Sequence, residues 1–163
     1  MAKTHFKTII IVWLSSIIIL GCTSKSKAQE KWTADMELTT YNGGGMVPES
    51  KTVTIKASSC SYIHWRMPKE DTLTFLLSQQ ELDALLKEMN TLHFQNMTSS
   101  DKGTITYDKP TTSIEFKSAK KIQTVRDGAT ESVDGSNTSK FFDLYRHILA
   151  LAEKKTGQAN KEN

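Results

Sequence analysis

Cys60 and His64 are the first pair to test as nucleophile and base, since a thiol beside an imidazole is the simplest route to covalent catalysis. Both fall in a segment that alternates like a strand, four residues apart. They therefore share a face, but about 13 Å apart at roughly 3.3 Å per residue. Proton transfer needs hydrogen-bond reach, about 3 Å. The spacing argues against a local dyad and favours a small buried thiol and a strand histidine. His93 stands where the first helix ends and suits the negative helix terminus. His147 lies inside the second helix, beside its apolar stripe. Neither belongs to a metal-ligand pattern such as H-E-x-x-H or a paired C-x-x-C, so the sequence implies no metal, no cofactor and no catalytic residue.

The most unusual segment is Gly43-Gly44-Gly45-Met46-Val47-Pro48. A phosphate-binding loop would continue into Gly-Lys-Ser/Thr and open a helix, and this one does neither. Two readings stay open. One is a flexible hairpin loop, because glycine is the default residue for positive φ. The other is a recognition loop, in which glycines permit close backbone approach while Met46 and Val47 offer apolar contact. Asp127, Glu131 and Asp134 surround a further loop, from Asp127 to Gly135. Their spacing does not reproduce a calcium loop, which predicts a solvated turn.

The elements that must position these residues follow from periodicity. Trp32, Ala34, Met36 and Leu38 alternate with polar residues and predict a strand. Val53, Ile55 and Ala57 predict a second, with the glycines and Pro48 in the hairpin loop between them. Cys60–Met67 and Thr72–Leu77 predict two more, joined by a turn over Pro68–Asp71. Ser78-Gln79-Gln80-Glu81 is a capping box, and Leu77 with Leu82 stands where a hydrophobic staple would be. Leu82, Leu85, Leu86 and Met89 give the helix one apolar stripe. Short strands follow near Gly103–Tyr107, Thr111–Lys117 and Lys121–Arg126. A second helix starts near Asn137–Ser139, with Phe141, Tyr145, Ile148, Leu149 and Ala152 as its stripe. The expected fold is α+β, an antiparallel sheet of about six or seven strands with two helices packed on one face.

The N-terminal segment sets a different kind of expectation. Lys3 and Lys7 form a basic stretch, and Thr8–Leu20 is uncharged but shorter than the ~20 residues of a bilayer-spanning helix. This is the layout of a secretory signal. It ends in Ile19-Leu20-Gly21-Cys22, which resembles the lipobox of bacterial lipoproteins. The resemblance implies removal of residues 1–21 and acylation of Cys22. The protein would then be held on a bacterial membrane, outside the cytoplasm, with residues 22–31 as a tether. Thr23 in place of Asp leans towards the outer membrane if the cell is Gram-negative. Two or more acyl chains would anchor stably, at about 0.8 kcal/mol per buried methylene.

Lipidation of Cys22 leaves Cys60 without a disulfide partner. It also discards two of 21 basic residues, leaving 19 against 18 acids, a net charge of +1. Nothing in that balance argues for nucleic acid. The remaining ~140 residues suit one domain, 32–153, followed by a polar tail over 154–163 read as disordered.

The order of strands, Gly44-Gly45-Met46, the capped helix from Leu77 to Phe94, Tyr107–Val125 and a final helix is similar in layout to emfourin, a small bacterial inhibitor of thermolysin-like metalloproteases. The pair of strands over Cys60–Leu77 is extra to that layout, and Met46 stands where an aromatic residue is expected. The resemblance implies a non-catalytic domain that binds a protein partner, as an inhibitor or an immunity protein against a protease or toxin. A structural or assembly lipoprotein of the envelope is the alternative. An enzyme using Cys60 is the third class.

Overall fold

The computed structural model describes residues 31–119 and 121–157. The lipobox, Cys22 and the tether to residue 30 lie outside the described residues. Among the described residues eight strands form: β1 (Glu37–Gly44), β2 (Val47–Lys56), β3 (Cys60–Arg66), β4 (Lys69–Phe75), β5 (Ser99–Asp101), β6 (Thr111–Ser118), β7 (Lys121–Asp127) and β8 (Glu131–Val133). The described residues also contain two α-helices, α1 (Gln79–Thr91) and α2 (Thr138–Thr156). The main sheet has the order β4-β3-β2-β1-β6-β7, antiparallel throughout, and β5 pairs with β8 in a separate ribbon. The fold is α+β.

Register explains the core. Leu38 lies across from Ile55, which lies across from Cys60, which lies across from Phe75. Thr40, Val53, Tyr62, Ile114 and Val125 make the adjoining row. These residues are buried, and with the helix stripes they form one core. The stripe of α1 is buried as Leu82, Leu85, Leu86 and Met89. In α2 the buried set is Phe141, Leu144, Tyr145, Ile148 and Ala152, with Leu149 at its margin. The helices lie antiparallel, since Glu81 meets Lys155 at 2.7 Å while Glu88 meets His147. The capping box forms as the sequence predicts: Ser78 Oγ accepts from the Glu81 N–H, and Glu81 accepts from the Ser78 N–H at 2.9 Å.

Four expectations need correction. Trp32 and Met36 are buried, but they precede the first strand, which starts at Glu37. Met36 N–H donates to Thr33 O in a turn, and the Trp32 backbone is bonded to α1 and not to a neighbouring strand: its N–H donates to Asp83 Oδ1 at 2.8 Å and its carbonyl accepts from Gln79 Nε2. Gly103–Tyr107 is not a strand. Thr106 N–H donates to Ala129 O and no ladder forms there, while Ser99–Asp101 is the strand instead. The third turn is Met67-Pro68 alone, because β4 already starts at Lys69. The C-terminal tail does not begin at 154. The helix runs to Thr156 and closes at Gly157, which has φ +70, with Lys154 and Lys155 in its last turn. Basic residues and a left-handed glycine both suit a helix C-terminus.

Candidate functional site

The chain direction places three connections at one end of the sheet. The β1–β2 turn lies there, and so does the β3–β4 turn, because Glu49 pairs with Arg66. The loop of residues 102–110 joins them, because it leads into Thr111, the partner of Gly43. Trp32 lies at the other end, edge-on to Phe116 with ring centroids 5.8 Å apart. There Asp35 Oδ2 also accepts from the Ala119 N–H in the β6–β7 turn. The two ends are separated by the length of β1, about 25 Å for eight residues.

The glycine segment is not a six-residue loop. Gly43 and Gly44 belong to β1, Val47 and Pro48 to β2, and Gly44 pairs with Val47 across a two-residue turn of Gly45 and Met46. The register shifts between Asn42 and Gly44. Gly43 is buried, and its lack of a side chain is used for packing: a Cβ there would stand 2.4 Å from Ser50 Cβ and 2.8 Å from Tyr41 Oη. Gly45 has φ +64 and lies against the 102–110 loop, where a Cβ would meet Asp108 O at 2.9 Å. Two glycines thus serve close approach, which a flexible loop would not require.

An open groove of about 450 Å³ runs beside this turn, lined by Tyr41, Met46, Pro48, Glu49, Trp65 and Met67 among others. Met46 is 78% exposed and Met67 66%. Tyr41 and Trp65 come from the sheet face that the helices do not cover. The glycines were legible in the sequence as a candidate site, but Tyr41, Trp65 and Met67 were not. The available signal was a large apolar residue on the polar side of each alternation, Tyr41 between Thr40 and Asn42 and Trp65 between His64 and Arg66.

Charges near the groove are mutually satisfied. Glu49 accepts from His64 Nε2 at 2.5 Å and lies 3.6 Å from Arg66 and 3.9 Å from Lys51, which also reaches Glu153 of α2 at 3.3 Å. Burial alone would raise the Glu49 carboxyl, but these partners together hold it below the usual carboxylate range. His64 therefore serves Glu49 and is not a base for Cys60. The Cys60 thiol sits in the row with Ile55 and Phe75 and donates to Lys56 O. Burial pushes its pKa up, which disfavours the thiolate a nucleophile requires.

His93 adopts φ +57 just past the end of α1, with its N–H bonded to Asn90 O. His147 bonds Glu88 and ties α2 to α1. Asp127, expected in a solvated turn, is instead 5% exposed and ion-paired with Lys109. Asp134 accepts from the hydroxyls of Thr98 and Ser100, and Glu131 starts β8. These acids are distributed among separate partners. Among the described residues no three His, Cys, Asp or Glu side chains are grouped to hold a metal ion, and no helix is long and apolar enough to cross a membrane.

No family model matches this chain, and no curated protein matches it. Its functional reading rests on the geometry of the groove and the two hairpin turns.

Proposed function

We propose that this protein is a lipid-tethered, non-catalytic domain that binds a protein partner through the hairpin-tip groove, as an inhibitor or immunity protein against a protease or toxin. The observation that carries the reading is the exposure of Met46 and Met67 beside Tyr41 and Trp65, at the end of the sheet remote from Trp32. Large apolar side chains around a concave, charge-satisfied surface favour contact with apolar groups of a partner. The buried, protonated thiol of Cys60 supports a role without catalysis.

The purified protein should inhibit a thermolysin-like protease or a toxin produced by the same cell. Burial of a methionine side chain is worth about 1.5–3 kcal/mol, so Met46→Ala or Met67→Ala should weaken that binding by roughly ten- to a hundredfold. Failure to bind any envelope protease or toxin would sink the reading. The anchor is tested separately: a labelled fatty acid should be incorporated at Cys22, and equal incorporation into Cys22→Ser would remove the lipid.

A further inference from the structure

The loop of residues 102–110 has no helix or strand of its own, yet it is fastened at both ends. Lys102 N–H donates to Thr130 O at 2.9 Å and Thr106 N–H to Ala129 O at 3.0 Å. Lys102 Nζ donates to Gly128 O at 2.7 Å. Lys109 Nζ pairs with Asp127, a carboxylate only 5% exposed. A buried carboxylate is costly unless it is paired, and here the partner comes from the loop. The backbone of Asp108 and Lys109 lies against Gly45, so the loop and the β1–β2 turn abut. A loop held this way nevertheless leaves Ile105 57% and Tyr107 78% exposed.

We propose that this loop is a second arm of the recognition surface, with Ile105 and Tyr107 as contact residues and Asp127 as the positioning residue that holds the loop through Lys109. The inference rests on the protein-binding reading above and specifies its partner: a protein surface with an apolar ridge that spans both arms. Two observations favour protein over a bilayer. The first described residues, with Trp32 clamped to α1, lie at the end of the sheet opposite this rim. The rim itself is balanced, with Arg66, Lys69, Lys102 and Lys109 against Glu70, Asp71, Asp101 and Asp108, and offers no excess of positive charge to an anionic lipid surface. Apolar anchors among balanced charges are the composition of a protein interface.

The test places the photo-reactive residue p-benzoylphenylalanine at Met46, Tyr107 or Ile122, one at a time, in the full chain in producing cells, and identifies adducts by mass spectrometry. Ile122 is 62% exposed at the far end of the sheet and serves as the control. The expected result is one and the same protein cross-linked from positions 46 and 107 and none from 122. Tyr107→Ala should then lower the yield from position 46 roughly tenfold, as loss of an interface anchor does. Asp127→Asn should lower the yield from position 107 more than that from position 46. Tyr107 lies on the surface, so its variant keeps the test valid should Asp127→Asn fail to fold. An adduct from 46 but not 107, or different proteins from the two, overturns this inference and leaves the groove as the site. Lipid adducts or a cross-linked second copy overturn the choice of partner. No adduct from either position overturns the protein-binding reading itself.

Discussion

Alanine at Gly44 and at Gly45 should behave differently, and the difference measures how firmly the β1–β2 turn is joined to the 102–110 loop. Both residues have positive φ, +80 and +64. Each alanine therefore incurs the left-handed penalty, about 1–2 kcal/mol. At Gly44 little more is added, because the nearest atom to a new Cβ is Tyr41 Oη at 4.0 Å. At Gly45 the Cβ would stand 2.9 Å from Asp108 O and 3.0 Å from Lys109 C, both backbone atoms that cannot rotate aside. Overpacking of that kind adds about 1–3 kcal/mol. Gly45→Ala should thus be the more destabilising by about 1–3 kcal/mol. With a urea slope of about 1–3 kcal/mol/M, its unfolding midpoint should fall roughly 1 M below that of Gly44→Ala. The assay is urea unfolding followed by far-ultraviolet circular dichroism, which requires no knowledge of the partner. Equal midpoints for the two variants would refute the claim that the turn and the loop are in firm contact.

Leu85→Ala, at a position 2% exposed in the single core, should cost about 2–5 kcal/mol in chemical unfolding, and a cost below 1 kcal/mol would argue that α1 is not packed on the sheet. Cys60 should react with a thiol reagent at pH 8 only as the protein unfolds, so rapid labelling of the native protein would contradict its burial and raised pKa. Glu81 provides a pH test. The hydrogen bond from Lys155 and those from Ser78 hold its carboxyl down to about 2, against an ordinary 4.5. A depressed carboxyl contributes stability above the unfolded value and loses it as pH falls towards the folded one. The melting-temperature gap between the native protein and Glu81→Gln should therefore be full at pH 6 and shrink between pH 4.5 and 2, whereas a constant gap would exclude an ionised Glu81 as its source.

Much of the fold was legible from local spacing. The Ser78–Glu81 capping box, the Leu82–Met89 stripe and the Val53–Ile55 alternation each depend on neighbours within about four residues, and each forms where the spacing puts it. Errors arose where one pattern has two physical sources. Trp32 and Met36 keep strand spacing but are spaced by a turn, and the Trp32 backbone is tied to α1. Ile105 and Tyr107 alternate like a strand, but the strands that complete that region are short and polar, and β5 finds β8 some 30 residues away. Strand spacing also leaves open which side is dry when both carry large residues, as with Tyr62 and Ile63 in β3. Trp65 and Tyr41 were missed for that reason.

The sequence alone thus determined the α+β class, both helices with most of their buried stripes (Leu144 was missed and Leu149 lies at the margin), most strands of the main sheet and the prominence of Gly43–Pro48. A lipid on Cys22 remains a proposal from sequence, since that residue lies outside the described residues. Tertiary structure decided the rest: that Gly43 and Gly45 serve packing, that Asp127 is buried against Lys109, and that two hairpin turns and a loop from three distant parts of the chain share one end of the sheet. The physical reason is range. Capping and amphipathic spacing act between residues already held close by the chain, while the groove exists only after antiparallel pairing has set the register of β1 against both β2 and β6.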